Sequence, residues 1–160
     1  MSVIIVAGPT CAGKSMFIKD HFPNHKVIDL FDYQKHFKYV TVDAVLQSYE
    51  ECKMALQEAL RNGEAVVLEH TLLKQKRRPM YIDAIRECTA EPVEMYFLMP
   101  SDKQLIKQMR ERSYASDIKT AQNMKDTVEL PTLDEGYAVV HIISDEPEVA
   151  RVERRPEYAG

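Results

Sequence analysis

The sequence predicts a three-layer α/β domain built on a central five-stranded, mostly parallel sheet, and two patterns predict it. Short apolar, β-branched runs alternate with helical segments along the chain, the arrangement that buries a parallel sheet beneath helices on both faces. A loop rich in small residues, Gly8-Pro9-Thr10-Cys11-Ala12-Gly13-Lys14-Ser15, stands directly between the first such run and the first helix, the setting an anion-cradling loop requires. With 160 residues, 45% of them hydrophobic, the chain suffices for one domain with a real core and is too short for two of ordinary size.

The elements follow in order. Val3 to Ala7 is the first strand, and Ser15 to Phe22 supplies an amphipathic helix that stops before Pro23, a residue that cannot continue it. Lys26 to Leu30 is the second strand. A long helix opens at Thr41 as N-cap, carries Val42, Val45, Leu46, Tyr49, Leu56 and Leu60 near one face, and stops at Asn62-Gly63, where glycine accommodates the left-handed exit. Ala65 to Glu69 is the third strand and Val93 to Leu98 the fourth. Ser101 and Gln104 are spaced as a capping box ahead of Leu105, Ile106 and Met109. A shorter helix is expected over Asp117 to Glu129, ahead of Pro131, and Tyr137 to Ile143 is the fifth strand. The domain is thus expected over residues 1–144. Residues 145–160, polar with mixed acids, arginines and two prolines, form a tail or an edge addition.

Composition narrows the function classes. No apolar run approaches the length of a membrane span, and the N-terminus lacks a basic flank and a small-residue cleavage site, so a cytoplasmic protein without membrane contact is expected. Cysteines at 11, 52 and 88 show no CxxC or Cys/His ligand spacing, which argues against a disulfide framework and a zinc site. The net charge of −4 means that any polynucleotide must be held by a local patch. The eight methionines and the run Met95-Tyr96-Phe97-Leu98-Met99 read as core packing.

The loop matches GxxxxGK[ST], the Walker A pattern, and each residue type has a physical task. Gly8 and Gly13 permit backbone angles a Cβ would forbid, so that N–H groups of Thr10, Cys11, Ala12 and Gly13 turn toward phosphate oxygens while the following helix points its positive end at them. Lys14 brings a mobile charge to the β- and γ-phosphates, and the Ser15 hydroxyl is suited to bind Mg²⁺. Cys11 beside Lys14 is a candidate reactive thiol, with a small loop residue as the simpler reading. Ligands of open α/β sheets bind at the carboxyl ends of strands, and three clusters fall there. Asp29 and Asp32 follow the second strand, where a carboxylate accepts a proton from an attacking hydroxyl. Glu69-His70-Thr71 closes the third, with Glu69 supporting the metal. Arg110 and Arg112 lie on the helix after the fourth and suit the charge of a transferring phosphoryl group.

These residues carry a resemblance. The loop Gly8 to Ser15, the segment Val66-Val67-Leu68-Glu69-His70-Thr71 followed by Arg77-Arg78, the Arg112 region and Pro131-Thr132-Leu133-Asp134-Glu135-Gly136-Tyr137 resemble the small P-loop kinases of the polynucleotide-kinase type, AAA-like P-loop NTPases with a kinase lid. The likeness runs from residue 2 to about 144. It implies a P-loop NTPase/kinase fold that uses ATP and Mg²⁺, with Lys14 and Ser15 on phosphate and metal, Glu69 in the acidic strand-end position and Arg112 as the lid arginine. It further implies Asp32 as catalytic base, with Asp29 as the alternative, and His70, Thr71, Arg77 and Arg78 on the acceptor. The sequence departs from the family in reading Glu69 for the usual Asp, His70-Thr71 for Thr-Asn, and Gln108 where a lid arginine is common. The implied activity is transfer of the ATP γ-phosphate to a hydroxyl, foremost the 5′-OH of a polynucleotide or nucleotide-like molecule. The alternatives are a kinase of a nucleoside, nucleotide sugar or antibiotic, and a regulatory P-loop ATPase. No NKxD-like guanine-reading motif stands out, which favours ATP.

Overall fold

A computed structural model describes residues 1–111 and 118–158. The strands are β1 (Val3–Ala7), β2 (Lys26–Asp29), β3 (Val66–Glu69), β4 (Val93–Leu98), β5 (Val139–Ile143) and β6 (Arg151–Arg154). The helices are α1 (Lys14–His21), α2 (Phe31–Gln34), α3 (Val42–Arg61), α4 (Pro79–Cys88), α5 (Asp102–Glu111) and α6 (Ile118–Asp126). The strands form one sheet in the order β2-β3-β1-β4-β5-β6. All pairings are parallel except that of β5 with β6.

The sheet therefore has six strands where five were expected. The sixth comes from the polar C-terminal segment, which pairs antiparallel with β5 through Val139↔Arg154 to Ile142↔Arg151. Three of its four residues, Arg151, Glu153 and Arg154, are charged, which conceals it in the sequence, because an edge strand needs no apolar run.

Side-chain alternation assigns the two faces. Val3, Ile5, Leu68, Met95, Phe97 and Val140 point to the larger core, which Cys52 and Leu56 of α3 and Tyr81 and Ile85 of α4 complete. Ile4, Val6, Val67 and Leu98 point the other way, under Ile18 of α1. The helix α3 begins as its sequence predicts, with the Thr41 hydroxyl accepting the Ala44 N–H at 3.1 Å. The capping box predicted at Ser101 is half made by Gln104. The Gln104 N–H reaches Ser101 Oγ at 3.1 Å, but the Ser101 N–H goes to Asp145 Oδ1 at 2.8 Å. That exchange ties the start of α5 to the end of β5. Among the described residues no helix is long and apolar enough to cross a membrane.

Because β3 lies on one side of β1 and β4 on the other, the chain changes direction at the carboxyl end of β1. The loop that begins at Gly8 sits at this switch point, where the crossovers diverge and leave a crevice.

Candidate active site

The loop after β1 is shaped by close approach. Gly8 has φ +142°, and a Cβ there would lie 2.5 Å from the Leu98 carbonyl oxygen, so no other residue fits. Gly13, at φ +95°, caps α1. Cys11 also takes a left-handed conformation, at φ +64°, and packs, as Ile118 does, against the cluster of Leu105, Met109 and Ala121 from α5 and α6. The Gly8 N–H donates to the Thr71 carbonyl at 3.1 Å, which registers the loop against the end of β3. The Lys14 ammonium donates to the carbonyls of Gly8 and Pro9, both at 2.9 Å, and so lies across the mouth of the loop. The Ser15 hydroxyl donates to Glu69 Oε2 at 2.8 Å.

Two clefts flank the loop. One, of about 640 Å³, is lined by Lys14, Ser15, Asp29, Phe31, Glu69 and Thr71, with Thr120 and Ala121 of α6 on the far wall. The other, of about 600 Å³, runs between α1 and α5 and is lined by Gly13, Phe17, Gln104, Gln108, Ser144 and Asp145. The loop itself forms the ridge between them.

Two carboxylates stand side by side in the first cleft, since Asp29 is the register partner of Glu69. Burial raises the pKa of Asp29, more than the Phe31 N–H bonded to its carboxylate at 3.0 Å lowers it. Burial likewise raises Glu69 above the ordinary carboxylate range, opposed by the Ser15 hydroxyl. Asp32, in contrast, lies on the exposed side of α2 in an ion pair with Lys35 at 3.3 Å and does not line the cleft. Of the two aspartates proposed from the sequence, Asp29 is thus the one on the cleft wall, while Asp32 sits exposed in the first turn of α2, close enough to act electrostatically on both Asp29 and Glu69.

His70 and Arg78 are both buried and bonded inside the protein, although His70 borders the first cleft. His70 is 2% exposed, and burial lowers its pKa to about 3, so it is neutral at physiological pH. Its Nδ1 accepts the Leu72 N–H at 3.1 Å, which leaves the proton on Nε2 to face the Tyr81 hydroxyl at 2.9 Å. That tautomer supports the left-handed Leu72, at φ +42°. Arg78 is fully buried. Its Nε reaches the Leu72 carbonyl at 3.0 Å, one terminal nitrogen grips both oxygens of Glu135 at 3.1 Å, and the other donates to the carbonyls of Leu73 and Glu129. With its donors engaged inside the protein, Arg78 does not meet an acceptor molecule. Its neighbour Arg77 is exposed and lies over the Tyr49 ring at 6.0 Å. Arg110 is exposed on α5, and Arg112 lies outside the described residues.

The residues that sequence reasoning missed are Phe31 and Gln34 in the first cleft and Gln104 and Asp145 in the second. Phe31 is 62% exposed, a placement for phenylalanine that nothing in its sequence neighbourhood announces. Asp145 joins its cleft through Ser101, whose hydroxyl it accepts at 2.5 Å. Nothing in local spacing announces a pairing across 44 positions.

A search of curated proteins finds no significant match. A family profile described as AAA domain matches residues 3–131. Among solved structures, a protein of Chloroflexus aurantiacus described as a candidate kinase superposes with TM-score 0.67 at 8% identity, over 92% of this chain and 89% of that one. A gluconokinase from Sinorhizobium meliloti 1021 superposes with TM-score 0.59 at 21% identity, over 92% and 86%. The Pnkp1/Rnl/Hen1 RNA repair complex contains a chain that superposes with TM-score 0.59 at 14% identity, over 80% of this chain and 46% of that one. At these identities the likeness is one of fold.

Proposed function

The chain belongs to the AAA domain family and has the fold of P-loop kinases, and on that premise we propose that it transfers the γ-phosphate of ATP to a hydroxyl group. The observation that carries this reading is the pair of clefts meeting at the loop. The cleft between α1 and α5 takes the nucleoside, the loop takes the phosphates, and the cleft on the other side presents a carboxylate to an acceptor.

The roles follow from chemistry. A phosphate is a charged acceptor and displaces the neutral carbonyls of Gly8 and Pro9 from Lys14, because charge-assisted hydrogen bonds are the stronger ones. Ser15 and Glu69 offer hard oxygen donors 2.8 Å apart, which fits Mg²⁺, an ion that keeps several waters and uses few protein ligands. When bound, the ion neutralises charge on the β- and γ-phosphates. Asp29 is the base. Its raised pKa makes it a better proton acceptor than an exposed aspartate, and it lines the cleft that an acceptor enters.

The acceptor we propose is the 5′-OH of a polynucleotide or a nucleotide-like molecule. The exposed ring of Phe31 supports this by offering a stacking surface inside the cleft, and exposed Arg77, over the Tyr49 ring that meets His70 of the cleft, supplies positive charge. The kinase would act in the cytoplasm, where ATP is available.

The test is transfer of labelled γ-phosphate from Mg-ATP to a panel of 5′-OH DNA and RNA oligonucleotides, nucleosides and sugars, with Lys14→Ala as the blank. Label on an oligonucleotide, absent from the blank, supports the full reading. Label on a sugar or nucleoside alone retains the kinase and replaces the acceptor. ATP hydrolysis without label on any acceptor overturns it in favour of an ATPase. In the same assay Asp29→Asn should reduce transfer at least about 10²-fold, and Asp32→Asn should leave it within about twofold of the parent, as for most exposed substitutions.

A further inference from the structure

One free edge of the sheet is β6, separated from β1 and its loop by β4 and β5. Among the described residues β6 pairs with β5 alone, and its residues Arg151-Val152-Glu153-Arg154 are mostly exposed. The chain that follows turns away from this edge, since Glu157 and Tyr158 line a cleft with Arg86, Val93 and Ala138 at the amino ends of β4 and β5. Charges on an edge strand ordinarily discourage a second strand from pairing there. Val152, 55% exposed in their midst, does not serve that end. It closes a row of rings: it stands opposite His141 of β5, whose ring stacks on Tyr96 of β4 at 4.3 Å, and Tyr96 in turn meets Phe17 and Phe22 of α1 at 5.5 and 5.4 Å.

We propose that β6 is the docking edge for a second copy of this chain, joining the two sheets into one about a twofold axis at Val152. Directly opposite residues of an antiparallel pair share a face of the sheet. Two identical strands related by a twofold axis therefore meet with one residue opposite its own copy. Each residue of β6 is a possible centre, and charge separates them. Centring on Arg151 or Arg154 sets arginine against arginine, and centring on Glu153 sets glutamate against glutamate, both unfavourable. Centring on Val152 sets valine against valine and places Arg151 of each copy opposite Glu153 of the other. Arg154 then falls opposite Ala150. Within one chain Arg151 and Glu153 already pair at 3.1 Å, on the same face because side chains alternate along a strand. In this register each of those charges has the opposite sign beside it both along the strand and across to the partner. The exposed valine and the order of the charges thus have a common explanation, and the rows of rings from the two copies meet at the axis. Dimerisation here does not depend on whether the loop binds a nucleotide.

The experiment is sedimentation velocity across a dilution series for the parent, Arg151→Glu, Glu153→Arg, the variant carrying both, and an equimolar mixture of the two single variants. The parent is expected to be a dimer at the concentrated end. Either single substitution converts both cross-strand pairs into like-charge pairs, and should weaken the dimer at least about tenfold. The variant carrying both exchanges the charges and should dimerise within about threefold of the parent. The mixture should form a heterodimer, because one copy then offers two glutamates and the other two arginines. Both side chains are exposed, so circular dichroism and melting of the monomeric single variants should match the parent. A parent that is monomeric throughout the series overturns the proposal. So does a dimer that survives both single substitutions, which belongs to another surface, and so does a mixture that stays monomeric.

Discussion

The two walls that enclose the loop are built on different principles. The floor, where β2 and β3 end, is held by a buried polar network: His70 between Leu72 and Tyr81, and Arg78 between Glu135 and three backbone carbonyls. The opposite wall, α5 with α6, rests on a small apolar cluster of its own, Leu105, Met109 and Ala121, and on a partly exposed ion pair between Lys125 and Asp102 at 2.8 Å. The floor is directional and tolerates no loss of a partner. The wall is non-directional and separable from the main core. The register-paired Asp29 and Glu69 stand on the first kind of construction, and Thr120 and Ala121 of α6 face them across the cleft from the second.

That contrast can be broken at either end. Arg78→Met should cost the most, about 3–5 kcal/mol, because it strands Glu135 as an unpaired buried charge. Adding Glu135→Leu should recover a large part of the loss, and denaturant melts of both variants will tell. If Arg78→Met alone is mild, the floor is not held as described. Leu105→Ala should cost about 2 kcal/mol, the low end for a buried leucine, since a small cluster can collapse around the gap. Amide exchange should show this loss confined to α5 and α6, with the protection of β1, β3 and β4 unchanged. Uniform deprotection would merge the two regions into one cooperative unit.

The pH dependence sharpens the comparison further. The folded pKa of His70, about 3, lies below its unfolded value, so the stability it contributes is complete above about pH 6.5 and declines as pH falls through that value. Asp29 and Glu69 act with the opposite sign. Their folded pKa values are raised by burial, so the ionised carboxylates oppose folding at neutral pH and cease to do so as acid protonates them. His70→Asn, which keeps an acceptor for the Leu72 N–H, should therefore flatten the acid limb of the melting curve between about pH 6.5 and 4. Asp29→Asn should raise the melting temperature at pH 7 by about 2–4 °C, even as it removes transfer. The smallest effect is expected at the outer wall. Asp102→Ala should change stability by at most about 1 kcal/mol, as exposed ion pairs do, and less at high salt.

The loop, its strand and its helix were legible in the residues because their chemistry is local. The spacing of Gly8, Gly13, Lys14 and Ser15 is dictated by backbone angles and one helix terminus, and β1 and α1 follow at the expected places. The caps at Thr41 and Ser101 were readable for the same reason. What depended on packing was not. Whether Asp29 or Asp32 enters the cleft turned on one short helix beginning at Phe31. Of two adjacent arginines, Arg78 is buried against Glu135, 57 positions away, while Arg77 faces solvent. The sixth strand shows no apolar alternation because only its backbone is needed by β5. Local geometry is encoded by neighbouring residue types, whereas the direction a charged side chain takes depends on partners brought near only by the closed sheet, and it was there that tertiary structure decided the site.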